Sequence, residues 1–157
     1  GIGKTFSEAF IKSQLAAGIR FPTKIPGKLA FISVRDHDKP AAVDLARKLQ
    51  VLGFDLVATK GTAEYIGRRG IQVETVKKVT EGRPHIVDRI KNGQISFILN
   101  TVEERKSAIK DSRSIRTSAL SESVTTYTTL AGAKAAVDGL SSLVASKVDV
   151  YDLKSLH

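Results

Sequence analysis

The sequence predicts an α/β protein, a doubly wound, mostly parallel sheet of about five strands flanked by helices. Three observations carry this expectation. Short apolar runs without polar alternation, such as Leu29-Ala30-Phe31-Ile32-Ser33-Val34, suit strands buried on both faces. Between them lie stretches with apolar residues at three-and-four spacing, the pattern of amphipathic helices. Glycine and proline punctuate the joints. The 157 residues are enough for one domain with a real core, and 41% hydrophobic with 26% charged residues is ordinary for a globular protein.

In chain order, Gly1-Ile2-Gly3-Lys4-Thr5 has the ending of a phosphate-binding P-loop. That motif needs a strand and an earlier glycine ahead of it, which this chain does not show. A helix from Thr5 to Ala17, with Phe6, Ala9, Phe10 and Leu15 on one face, is the better reading. Gly18, Pro22, Pro26 and Gly27 then mark a linker, so residues 1–27 are assigned to a helix and linker and 28–157 to the main domain. The first strand, Leu29 to Val34, leads to Asp38 as a helix N-cap and Pro40 in the first turn. Ala42, Leu45, Ala46, Leu49 and Leu52 form that helix's buried face, and Gly53 stops it as a residue suited to positive φ.

Phe54 to Ala58 is the second strand, Ala63 to Arg69 the next helix, and Ile71 to Val76 the third strand. A polar loop, Lys77 to His85, enters a helix from His85 to Asn92, with Pro84 placed to start it and Gly93 to end it. Ser96 to Asn100 is the fourth strand. Arg105 to Ser114 reads as a charged surface segment or short helix, and Arg116 to Ser121 as a short helix or turn. Val124 to Tyr127 is a brief fifth strand. Thr128 or Thr129 caps a helix bearing Leu130, Ala133, Val137, Leu140 and Val144, and Val148 to Leu153 is a terminal strand or tail.

Composition narrows the function. There is no cysteine, which excludes disulfide frameworks and thiolate chemistry from this chain. No apolar run approaches the ~20 residues of a membrane span, and no secretory signal opens the chain, so a cytoplasmic location is expected. The chain starts at Gly1 and has no methionine, the pattern expected of a piece of a longer protein. The formal charge is +9, from 25 Lys plus Arg against 16 Asp plus Glu. These cations are spread along the chain and no basic run interleaves with aromatic residues, so a phosphorylated small ligand is expected rather than nucleic acid. No His, Asp or Glu cluster has metal-ligand spacing.

The stretch Val57-Ala58-Thr59-Lys60-Gly61-Thr62-Ala63 is where chemistry concentrates. A strand, a tight turn and a helix N-terminus follow one another at once. Hydroxyls of Thr59 and Thr62, the Lys60 ammonium and helix N–H groups can converge on one small anion, and Gly61 lets it approach the backbone. An ordinary turn with Thr62 as N-cap is the competing reading. In doubly wound sheets ligands sit beyond the carboxyl ends of the strands. This gathers Ser33, Lys39, Thr59, Gly61, Thr62, Lys78, Asn100 and Thr101 around one crevice, as a phosphate site.

The residues also carry a resemblance. Ser33-Val34-Arg35-Asp36-x-x-Lys39, Ala58-Thr59-x-Gly61-Thr62-Ala63, the block from Glu81-Gly82-Arg83-Pro84-His85 to Gly93, Asn100-Thr101 and Asp111-Ser112-Arg113 together resemble the carboxyl-terminal regulatory domain of the carbamoyl phosphate synthetase large chain. The resemblance covers nearly the whole chain, and the first residues look like the segment joining that domain to the preceding synthetase domain. It implies a methylglyoxal-synthase-like fold without chemistry of its own, binding nucleotide monophosphates such as UMP and IMP through Ser33, Lys39, Thr59, Thr62, Lys78, Asn100 and Thr101. No cofactor is implied for this chain by itself. For the full-length enzyme the resemblance implies an ATP-dependent ligase of arginine and pyrimidine biosynthesis, using ATP, Mg or Mn, and K. It also implies a small glutaminase subunit, the synthetase domains of the same chain and homo-oligomer contacts as partners.

Two positions depart from the family pattern. Val102 stands where a third polar residue often follows Asn-Thr. Thr126-Tyr127-Thr128 stands where the family's ornithine-binding stretch reads Tyr-Asp-Thr, so the carboxylate that would pair with the ornithine ammonium is missing. Methylglyoxal synthase, a phosphate lyase on the same fold, is the alternative. Its chemistry calls for a His where this chain has Arg35, and its Asp-Pro segment is replaced by Asn100-Thr101-Val102.

Overall fold

The computed structural model describes residues 25–102 and 106–155. The strands are β1 Leu29–Ser33, β2 Asp55–Ala58, β3 Glu74–Thr75, β4 Ile95–Asn100 and β5 Thr125–Tyr127. All pair in parallel, in the order β3-β2-β1-β4-β5. The helices are α1 Lys39–Leu52, α2 Lys60–Gly67, α3 Ile86–Lys91, α4 Lys106–Ser121 and α5 Leu130–Ser155.

Strand alternation divides the core in two. Ala30, Ile32, Leu56, Ala58, Phe97 and Leu99 face α1, α2 and α5, where Ala42, Leu45, Leu49, Ile66, Ala133 and Val137 meet them. Phe31, Val57 and Ile98 face the other way, onto Ile86 and Ile90 of α3 and Ile115 and Ala119 of α4. The central strands therefore have no polar side, which is why their sequences are continuous apolar runs. Phe31 and Phe97 are fully buried, each stabilising the fold by roughly 1.5–3 kcal/mol. The chain runs outward from β1 through β2 to β3, then returns to place β4 on the other side of β1. That reversal opens a crevice beyond the carboxyl ends of β1 and β4.

Several expectations are corrected. Helix α2 begins at Lys60 rather than Ala63, so Thr59 is the N-cap residue and Thr62 lies inside the first turn. Asp38 is at the N-cap position of α1 but does not cap it: it follows a single 3₁₀ turn, Asp36–Asp38, and its carboxylate takes Arg35 Nε at 2.8 Å. Pro84 lies outside α3, whose N-cap is His85. Strand β3 is only two residues long, because Ile71 is buried against the core ahead of it and only Glu74 and Thr75 pair with β2. Arg105–Ser114 and Arg116–Ser121 are not separate pieces: α4 is continuous from Lys106, and Ile115 and Ala119 seal it to the sheet. Val148 to Leu153 continues α5 as helix. Gly53 (φ 110°) and Gly93 (φ 74°) end α1 and α3 as expected. The helix from Thr5 to Ala17, the P-loop-like opening and the linker as far as residue 24 lie outside the described residues. Ile25, which closes a turn with Lys28, is buried in the core.

Candidate functional site

Four strand ends meet in one cleft of about 160 Å³, lined by Ser33, Lys39, Thr59, Gly61, Thr62, Lys78, Asn100 and Thr101, whereas Lys60, whose ammonium was also expected there, is exposed and is not among the lining residues. Their placement follows from the parallel sheet. Ser33 and Asn100 are opposite each other at the ends of β1 and β4. The loop after β4 is tied to β1 twice: Thr101 N–H donates to the Ser33 carbonyl at 3.0 Å, and Thr101 Oγ1 accepts Arg35 N–H at 2.9 Å.

The floor is the start of α2. Thr59 has extended backbone (φ −68°, ψ 159°), and its hydroxyl shares a 2.9 Å hydrogen bond with Ser33 instead of capping the helix. The first N–H groups of α2 have no intrahelical acceptor and sit at the positive end of its dipole. Thr62 Oγ1 accepts Val34 N–H at 3.2 Å. Thr62 is thus a tie between β1 and α2, buried and already engaged. A Cβ on Gly61 would stand 3.2 Å from Lys39 Nζ. The space that glycine leaves is occupied by the Lys39 ammonium, which refines the expectation that it serves an incoming anion directly. Lys39 Nζ itself pairs with the Asp36 carboxylate.

The opposite wall comes from α4. Asp111 and Ser112 are nearly buried there, with Ala108 and Ile115 beside them. Asn100 Nδ2 donates to Ser112 Oγ at 3.2 Å, and Thr80 Oγ1 donates to Asp111 Oδ2 at 3.5 Å. Sequence reasoning noted Asp111-Ser112 only as part of a resemblance. Their signal was two polar residues on a helix whose neighbours at three-and-four spacing, Ala108, Ile115 and Ala119, are apolar. Arg35, Asp36 and the apolar Val34 and Val102 complete the lining. Three cations (Arg35, Lys39, Lys78) thus face two carboxylates (Asp36, Asp111). Among the described residues, no histidine lines the cleft.

The block from Glu81 to Gly93 serves the cleft indirectly. Glu81 Oε1 accepts Lys78 N–H at 2.8 Å, holding the loop that presents Lys78. His85 and Asp88 cap α3 reciprocally: Asp88 Oδ2 accepts His85 N–H at 2.9 Å, and His85 Nδ1 accepts Asp88 N–H at 3.4 Å. Arg83 hydrogen-bonds the same carboxylate, and together with the His85 N–H it holds the Asp88 carboxyl down at about 2. Thr126, Tyr127 and Thr128 are not brought to the cleft. Thr126 Oγ1 bonds the Val124 carbonyl, Thr128 is exposed, and the Tyr127 ring packs on Phe97, with burial pushing its phenol up to about 12.

A model of the MGS-like domain family matches residues 41–128. The whole chain aligns at 55% identity with the carbamoyl phosphate synthase large chain of Ralstonia nicotianae, spanning 14% of that protein. The Myxococcus xanthus large chain is 49% identical over 98% of this chain, again 14% of its length. The whole chain is also 47% identical to a protein of Methanopyrus kandleri described as the carbamoyl phosphate synthase large chain, C-terminal section, of which it spans 28%.

Proposed function

The chain belongs to the MGS-like domain family, in the form found in carbamoyl phosphate synthase large chains, and we propose that it is an allosteric domain that binds nucleotide monophosphates such as UMP and IMP in the cleft beyond β1, β2 and β4. The observation that carries this reading is that Ser33, Lys39, Thr59, Lys78 and Thr101 line one cleft together with the start of α2. Backbone N–H groups, hydroxyls and two ammonium groups are the donor set a phosphate dianion requires. Beyond them, the Asn100 amide, Ser112 hydroxyl and Asp111 carboxylate offer hydrogen-bond partners to the hydroxyls of a ribose. A carboxylate in an anion site is unfavourable for bare phosphate and favourable for a ligand that brings donors to it.

The mechanism is a population shift. A nucleotide that binds one arrangement of this domain against neighbouring synthetase domains more tightly than another moves the enzyme toward that arrangement, by ~1–3 kcal/mol for a typical coupling. On this reading the parent protein is the cytoplasmic ATP-dependent ligase. It uses ATP with Mg or Mn, and K, in its other domains, and partners with a small glutaminase subunit. Ornithine would find no carboxylate in Thr126-Tyr127-Thr128 and is the weaker effector. The lyase alternative calls for a His where this chain has Arg35, and the two carboxylates of the lining, Asp36 and Asp111, are engaged by Lys39 and Thr80, which favours binding over catalysis.

Isothermal titration of the chain with UMP, IMP and inorganic phosphate tests the reading. Saturable nucleotide binding that phosphate mimics only weakly is the expected result. A folded chain that binds none of the three would sink it.

A further inference from the structure

Lys39 is the least exposed of the charged groups with an ion-pair partner at the cleft, and its partner is internal. Its side chain is 18% exposed, its Nζ lies over Gly61 at the start of α2, and the Asp36 carboxylate holds it there. Asp36 itself is 82% exposed, at the outer rim of the same cleft. The two are three residues apart across a single 3₁₀ turn and the first residue of α1, so the pair is short-range and its geometry is set by local backbone. Of the three donors of the Lys39 ammonium, the one turned to Asp36 reaches a phosphate only by loosening that contact.

We infer that Asp36 is an internal anion that occupies Lys39 when the site holds no ligand, so that phosphate binding exchanges one anion for another. This rests on the reading of the cleft as a phosphate site. The Asp36 carboxylate is the partner Lys39 has over Gly61, where the incoming phosphate meets it. It also sets a ceiling on affinity, because a dianion entering the cleft both displaces the carboxylate from Lys39 and is repelled by it. Arg35 has its own carboxylate partner, Asp38, which accepts from its Nε at 2.8 Å. Asp36 is therefore a positioning residue that tunes affinity through Lys39. It belongs to the rim, and its effect fades with salt because it is screened by solvent.

A double-mutant cycle tests this. Inorganic phosphate, UMP and IMP are titrated at low ionic strength against the unaltered chain, Asp36→Asn, Lys39→Met and the double variant, with circular dichroism confirming the fold of each. Asp36→Asn is expected to tighten binding of all three ligands by about two- to fivefold, the range set by exposed ion pairs. The gain should shrink in high salt and be clearly smaller on the Lys39→Met background, where only the direct repulsion between Asp36 and the ligand is relieved. Unchanged or weaker binding in Asp36→Asn, or the same gain with Lys39 absent, overturns the exchange while leaving the phosphate site standing. If neither the unaltered chain nor Asp36→Asn binds any of the ligands, the phosphate-site reading itself fails and the exchange falls with it.

Discussion

Thr62 lines the cleft and also ties it together. Its hydroxyl accepts the Val34 N–H, and the residue is 2% exposed. Removing it leaves a buried backbone donor without its partner. Thr62→Ala is expected to lower stability by about 1–3 kcal/mol, whereas Thr62→Ser keeps the hydroxyl and most of the stability. Urea denaturation midpoints check both. Thr59 differs: its hydroxyl bonds only another side chain, Ser33, so it can turn toward a ligand at little cost to the fold. Gly61 matters for a neighbouring side chain, since its missing Cβ leaves room for the Lys39 ammonium.

At the scale of elements, the loop from Lys77 to the start of α3 is held by short-range polar contacts. Glu81 ties down Lys78, while Asp88 and His85 cap α3 and Arg83 clamps Asp88. The Asp88 carboxyl is lowered to about 2, first by the Arg83 hydrogen bond and then by the His85 N–H. An unfolded chain would hold it near 3.9. A depressed carboxyl contributes stability above its unfolded value and loses it as pH falls through its folded one. The chain should therefore lose stability between about pH 4 and pH 2, and Asp88→Asn should be less stable at neutral pH yet flatter through that window. Unfolding curves recorded across this range measure it, and an unchanged acid limb in Asp88→Asn would remove Asp88 as its cause. Helix α4 works differently. Its inner face packs on the sheet through Ile115 and Ala119 while Asp111 and Ser112 reach the cleft, so one helix supplies both core and wall.

For the whole molecule, the cleft joins the carboxyl ends of β1, β2 and β4 with the loop after β3 and with α4. A ligand bound there touches both halves of the doubly wound sheet and is bound only when they are assembled. It should stabilise the native state by mass action, by about 2.7 kcal/mol at a hundredfold excess over its Kd. A nucleotide-dependent rise in Tm, absent with an unphosphorylated nucleoside, is the expected readout. On the proposed allosteric function, a nucleotide bound across the strand reversal would bias how the domain presents its surface to neighbouring domains.

What the amino-acid sequence determined by itself was local and periodic. Unbroken apolar runs gave the buried strands, three-and-four spacing gave the helices, and Gly53 and Gly93 marked where two of them stop, because each depends on residues close together in the chain. The rule that ligands sit at strand carboxyl ends then located the eight residues of the cleft once a parallel sheet was inferred. Tertiary structure alone decided the rest. Whether 106–121 is one helix or two pieces depended on Ile115 and Ala119 finding the sheet, and the short β3 depended on Ile71 finding the core. The contacts of Thr62, Asp36 and Asp111 are to partners 28, 3 and 31 residues away. The Asp36–Lys39 contact is local in the chain, but its place beside Gly61 at the start of α2 is set by the assembled strand ends.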